Sequence, residues 1–131
     1  MQRSSTPERV VLIPVLVFLA ACVYLGLHDG LHTFPRDTTT GQRAVSVLQF
    51  AYSLLALAAM AGVVGRRRWA AWVLVAWVLT AACCGALATV VWGRGTLAAA
   101  VPAFLLVVVV FGLAAWGGIA HARRGAPAPP A

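Results

Sequence analysis

Apolar residues in this chain are gathered into four long runs, and nearly every charge falls between them. The runs are Val10 to Leu27, Ala44 to Val64, Trp69 to Trp92 and Leu97 to Ile119. A hydrocarbon core about 30 Å thick takes about 20 apolar residues of helix to cross, so each run has the length of a membrane span. None shows two-residue alternation, and each is about twice as long as a strand of a membrane barrel. Helix is then the element that satisfies its own backbone in lipid. The pattern predicts an all-α integral membrane protein, an antiparallel four-helix transmembrane bundle.

The breaks between runs carry turn chemistry. Met1 to Arg9 is expected to be a short frayed tail, and Pro14 sits early in the first run, where a missing N–H costs least. His28 to Arg43 is rich in turn residues, with Asp29, Gly30, Pro35, Asp37, Gly41 and the Thr38-Thr39-Thr40 triplet. It is expected to be the one connection long enough to hold structure of its own. Gly65 and the Arg66-Arg67-Arg68 triplet end the second run. Gly93-Arg94-Gly95 is so short a turn that the fourth run must return beside the third. Beyond His121 the chain is rich in Pro and Ala and reads as disordered. The expected organisation is a cytoplasmic tail over 1–9, a four-span domain over 10–120 and a disordered cytoplasmic tail over 121–131.

Composition reinforces this picture. Of 131 residues, 62% are hydrophobic and 10% charged, against about 25% charged in soluble domains. Four crossings use nearly the whole length and leave no room for a soluble domain. The net charge of +7 comes with ten basic residues, all Arg. They are scattered in short connections with no basic face to follow phosphates, so nucleic acid is not an expected partner. As a topology signal they are informative. With four crossings, Arg3, Arg9, Arg66, Arg67, Arg68, Arg123 and Arg124 share one side, opposite Arg36, Arg43 and Arg94. Positive charge accumulates on the cytoplasmic side, which places both termini there. Trp69, Trp92 and Trp116 fall near run ends, as interfacial anchors do. The Arg-only, Ala- and Val-rich usage fits a GC-rich bacterial genome, and hence the bacterial cytoplasmic (inner) membrane.

Two processing signals compete with an intact first span. Leu19-Ala20-Ala21-Cys22 has the form of a lipobox with Cys22 as the lipidated residue, but Val23 to Leu27 stay apolar where a mature lipoprotein turns polar. A secretory signal peptide fails because the run is too long and no soluble body follows a cleavage site.

Candidate chemistry is sparse. Proton-coupled export uses an intramembrane carboxylate, yet Glu8, Asp29 and Asp37 are the whole acidic inventory and all lie outside the runs. An exporter of the small multidrug resistance type would need a Glu buried in its first helix, and Glu8 lies too near the start. At the end of the first run, His28-Asp29-Gly30-Leu31-His32 puts two imidazoles four apart. On a continuing helix they share a face and could offer a divalent metal two ligands, with Asp29 or Asp37 as further donors. They cannot sandwich a haem iron, whose axial ligands approach from opposite faces, and His121 is expected across the bilayer. Cys83 and Cys84 point about 100° apart and, with Cys22, read as small core residues.

Within the runs, Ser46, Gln49 and Ser53 form one stripe of the second helix. Gln49 should face the interior, because lipid cannot satisfy its amide. It either bonds across to Tyr24 or Thr89 and ties helices together, or lines a pocket with Tyr24 and Tyr52 beneath His28 and His32 that receives a quinone-like headgroup. Small residues four apart (Ala58 with Gly62, Ala81 with Gly85, Ala114 with Gly118) permit close helix approach.

No nucleotide loop or catalytic constellation is present, so no enzyme acting alone is expected. The leading expectation is a structural or accessory role within the lipid bilayer, through a homo-oligomer or a larger membrane complex. The alternative is an outer-face binding module for a quinone-like small molecule or a metal ion. A facilitative carrier for a small solute is the third.

Overall fold

The computed structural model describes residues 6–36, 39–93, 96–124 and 130, with side-chain surroundings from Arg9 onward. Four helices account for nearly all of them: α1 (Thr6–Thr33), α2 (Thr40–Val64), α3 (Ala70–Trp92) and α4 (Leu97–Arg124), with a 3₁₀ turn, Phe34–Arg36, after the first. No strand occurs among the described residues. All four helices are long and apolar enough to cross a membrane, which points to a multi-pass membrane protein.

Each apolar run became a helix, and three of the four helices exceed their runs, α3 alone starting one residue inside its own. α1 begins at Thr6, inside the expected frayed tail, and continues through His28–Thr33, which reads as loop in the sequence. Side chains there fold back onto carbonyls of the preceding turn. The Thr33 hydroxyl donates to the Asp29 carbonyl at 2.7 Å, and His32 Nδ1 donates to the His28 carbonyl at 2.9 Å. The presumed loop is therefore mostly helix, since Thr40–Arg43 belongs to α2. α4 likewise runs past Ile119 to Arg124, with His121, Arg123 and Arg124 in its last turn. Cations there complement the partial negative charge of the carbonyl end. Arg3, Asp37, Arg94 and the tail from Gly125 to Pro129 lie outside the described residues.

The start of α2 is a capping box. Thr39 Oγ1 accepts from the Gln42 N–H at 3.2 Å, and Gln42 Oε1 accepts from the Thr39 N–H at 3.2 Å. Two otherwise orphaned donors are satisfied reciprocally. The end of α2 is a Schellman turn: Arg66 N–H donates to the Val63 carbonyl at 3.1 Å and Arg67 N–H to the Gly62 carbonyl at 2.9 Å. The left-handed position of this motif, usually glycine, is filled by Arg66 with φ 49.

Neighbours in sequence are neighbours in space, so α2 lies beside α1, α3 beside α2, and α4 beside α3, while α1 meets α4 over a shorter stretch. Leu19, Ala56, Ala59, Val63, Leu74 and Trp77 form the buried centre. There Trp77 of α3 meets Phe18 of α1 edge-on at 6.0 Å and Phe111 of α4 at 4.9 Å, while Phe18 and Phe111 meet at 5.0 Å. Edge-to-face rings at this spacing are favourable beyond the area they bury. Val11 and Val15 continue the α1–α4 seam against Gly117. One and two turns beyond Phe18 the same stripe carries Cys22, which is buried, and then Leu25, which is 52% exposed. α4 therefore covers α1 at one end and leaves it open toward the α1–α2 connection.

Candidate functional site

The polar residues of α1 are divided between two faces. Tyr24, His28 and His32 recur every four residues and so stack along one side of the helix. The Tyr24 and His28 rings are 5.7 Å apart with planes 25° from parallel. His28 and His32 are 4.2 Å apart at 24°. The three rings form an exposed ladder, with Tyr24 67% exposed and the His28 side chain 48%.

Hydrogen bonds fix which nitrogens the ladder presents. A carbonyl oxygen only accepts, so His32 Nδ1 carries the proton toward His28 O, and Nε2 is left with its lone pair in the neutral ring. The Asp29 carboxylate lies 3.4 Å from His28 Nδ1, a long contact that orients the second imidazole the same way.

Beside the ladder, α1 and α2 part to leave a groove of about 490 Å³. Ala20, Val23, Leu27 and Leu31 form one wall, Leu57 and Met60 the other, and the three rings stand along its edge. The lining is almost wholly apolar apart from those rings.

Of the expected metal donors, His28 and Asp29 touch and His32 stacks above them, but Asp37 lies outside the described residues. Among the described residues no three His, Cys, Asp or Glu side chains gather around one point. Two near-parallel imidazoles hold their free nitrogens side by side, whereas tetrahedral coordination at about 2.0–2.1 Å needs lone pairs that converge.

Gln49 and Tyr52 are on the opposite side of the α1–α2 contact from the ladder, against Gly26. The structure thus separates residues that the sequence groups in one pocket. Gln49 does turn inward, and its Oε1 is buried with no hydrogen-bond partner among the described residues. The expected bonds to Tyr24 or Thr89 do not form. Tyr24 faces away, and the Thr89 hydroxyl donates to the Gly85 carbonyl of its own helix at 2.8 Å. The ties between α1 and α2 come from the serines instead. Ser46 Oγ pairs with Thr33 Oγ1 at 3.0 Å, and the Ser53 hydroxyl, whose one proton goes mainly to the Gln49 carbonyl at 2.7 Å, also lies 3.4 Å from the Cys22 carbonyl of α1. Cys84 is buried and Cys83 exposed, as the angle between helix neighbours dictates.

Leu57 and Met60 were not singled out in the sequence, where nothing separates them from other lipid-facing residues. The His28–His32 spacing was legible in the sequence, but Tyr24, grouped there with Gln49 and Tyr52, joins the ladder only because the helix continues past Leu27. No family model matches the chain, and no curated protein or solved structure matches it either.

Proposed function

We propose that this chain is an accessory protein of a bacterial cytoplasmic membrane, crossing it by four antiparallel helices with both termini inside. It works by association, with a second copy of itself or with a larger membrane complex. Helix length and apolarity support the crossings, and the arginine asymmetry supports the orientation.

The observation that carries the association is the poor enclosure of α4. Only 6% of its most apolar stretch is buried, against 22 to 33% in the other three helices. Its free face presents Val101, Leu105, Val109 and Trp116, all exposed. Between them a methyl group added to Gly112 would meet nothing within 4 Å. Elsewhere the small residues are used within the chain: Gly62 meets Trp69 and Ala70, and Gly118 meets Leu74 and Val63. A glycine notch flanked by branched side chains accepts the ridge of another helix, and close packing is what drives association where lipid is as apolar as leucine.

Native mass measurement after purification in mild detergent tests this. The expected result is an assembly larger than one chain that Gly112→Leu breaks down. A strictly monodisperse monomer with no companion overturns the reading. A tag after Ala131 that is accessible from outside intact cells overturns the orientation.

A further inference from the structure

Arginines from three separate parts of the sequence meet at one end of the bundle. A methyl group added to Gly118 of α4 would touch Leu74 near the start of α3 at 3.0 Å, Val63 at the end of α2 at 3.3 Å and Val15 early in α1 at 3.7 Å. The start of α1, the α2–α3 turn and the end of α4 therefore lie together. Arg9, Arg66, Arg67, Arg68, Arg123 and Arg124 stand at that end. Glu8 is the one acidic residue that the sequence places with them, since Asp29 and Asp37 fall at the far end of α1 and beyond it.

We infer that this end binds the headgroup of a phospholipid with net negative charge, its phosphodiester held by guanidinium groups of the α2–α3 turn and of α4. Such binding rests on the membrane-spanning reading and is independent of association through α4 and of which side the termini occupy.

Three features point to a lipid. The first is that the α2–α3 turn is fixed before any ligand arrives. Arg66 and Arg67 donate their N–H groups to the Val63 and Gly62 carbonyls at 3.1 and 2.9 Å, and the Arg67 and Arg68 carbonyls accept from the Ala70 and Ala71 N–H groups at 3.1 and 3.4 Å. A backbone pinned from both helices displays its guanidinium groups with less order left to impose on binding. The second is that α4 adds to the same display. His121 and Ala122 take the buried side of its last turn and leave Arg123 and Arg124 exposed. The third is depth. Trp69, Trp72 and Trp116 are all exposed and lie within two turns of the arginines, on the apolar side. Exposed indoles gather at the headgroup level of a bilayer, so the guanidinium groups stand where lipid phosphates lie. Paired N–H donors match phosphate oxygens, and clustered arginines beside a span attract anionic lipids. An acidic protein segment would satisfy the charge, but it has no use for the indole belt. A zwitterionic lipid carries the same phosphate with an ammonium that the arginines repel.

Native mass measurement and thermal unfolding of the full chain in mild detergent test this, with dioleoyl phosphatidylglycerol as the anionic probe and dioleoyl phosphatidylcholine as the zwitterionic one. The expected result is a saturable phosphatidylglycerol adduct that raises the melting temperature, with phosphatidylcholine binding about tenfold more weakly. Each arginine near an anionic surface is worth about fivefold in binding, so Arg67→Gln with Arg124→Gln weakens the adduct by about tenfold or more. Arg67→Lys with Arg124→Lys keeps the charge and most of the binding. Arg36→Gln with Arg43→Gln, at the opposite end, leaves it unchanged. All four side chains are exposed, so melting temperatures without added lipid stay level across the variants and folding is not in question.

Equal retention of the two lipids, by a chain that needs detergent to stay in solution, overturns the anionic headgroup and leaves the membrane-spanning reading in place. A chain that stays in solution without detergent overturns both. An equal loss on replacing Arg36 and Arg43 shows diffuse attraction to charge and overturns the placement. Displacement of the lipid by inorganic phosphate at equal concentration makes a free anion the ligand, and hexaglutamate binding more tightly than phosphatidylglycerol makes this end a docking surface for an acidic protein segment; either result overturns the lipid.

Discussion

Gly26 of α1 and Ser53 of α2 lie so close that a methyl group on the glycine would collide with the serine hydroxyl. That hydroxyl cannot swing clear cheaply. It donates to the Gln49 carbonyl at 2.7 Å, and the same added methyl would stand 3.0 Å from that carbonyl oxygen. Gly26→Ala is expected to destabilise the protein by about 1–3 kcal/mol, the usual cost of overpacking. Reversible unfolding in mixed detergent micelles measures it, and unchanged stability would mean that the two helices do not meet here.

Gln49→Leu is expected to act the other way. The wild-type amide buries an oxygen without a partner, and an unsatisfied buried polar group costs about 1–3 kcal/mol. An apolar side chain of similar size removes that penalty, so stability rises by about 1 kcal/mol in the same unfolding assay. A loss of stability would reveal a partner for the amide.

Arg66 holds a left-handed backbone, φ 49, which costs an L-residue about 1–2 kcal/mol and glycine almost nothing. Arg66→Gly should raise stability by about 1 kcal/mol, while Arg66→Val, branched at Cβ, should lower it. Thermal unfolding of the two variants side by side distinguishes backbone relief from loss of the guanidinium, since a pure charge effect would move both in one direction.

Trp77 is fully buried between Phe18 and Phe111, and its indole N–H has no partner among the described residues. Trp77→Phe therefore forfeits packing volume and no hydrogen bond. Trp77→Ala empties the ring cluster and should cost about 3–5 kcal/mol. The phenylalanine variant should retain most of the stability. If it falls as far as alanine, the indole nitrogen has a role that ring packing does not account for.

The helices were legible because span-length apolar segments admit only one backbone solution in lipid, and here each such segment is indeed helical. What the sequence concealed lies at the ends. Asp29, Gly30 and the threonine triplet look like turn chemistry, yet Gly30 faces the Phe50 ring and Thr39 with Gln42 caps α2. Both outcomes are set by partners, one tertiary and one three residues away. The spacing of Ser46, Gln49 and Ser53 placed them inward, as found. It could not say that Tyr24 would turn the opposite way from Gln49, since that depends on which side of α1 lies against α2. The gap between α1 and α4 left no trace in the pattern, because a leucine facing lipid and one facing a helix obey the same apolar requirement.

Val11, Val15 and Phe18 fasten α1 to α4 over the first half of α1, while Leu25 stands uncovered farther along. Two rods clamped along one half have one easy motion, a splaying of the unclamped half whose travel grows with distance from the clamp. Swelling by heat or detergent will accordingly start at that open end and reach the aromatic trio later, so amide exchange along α1 should run faster near Asp29 than near Leu19.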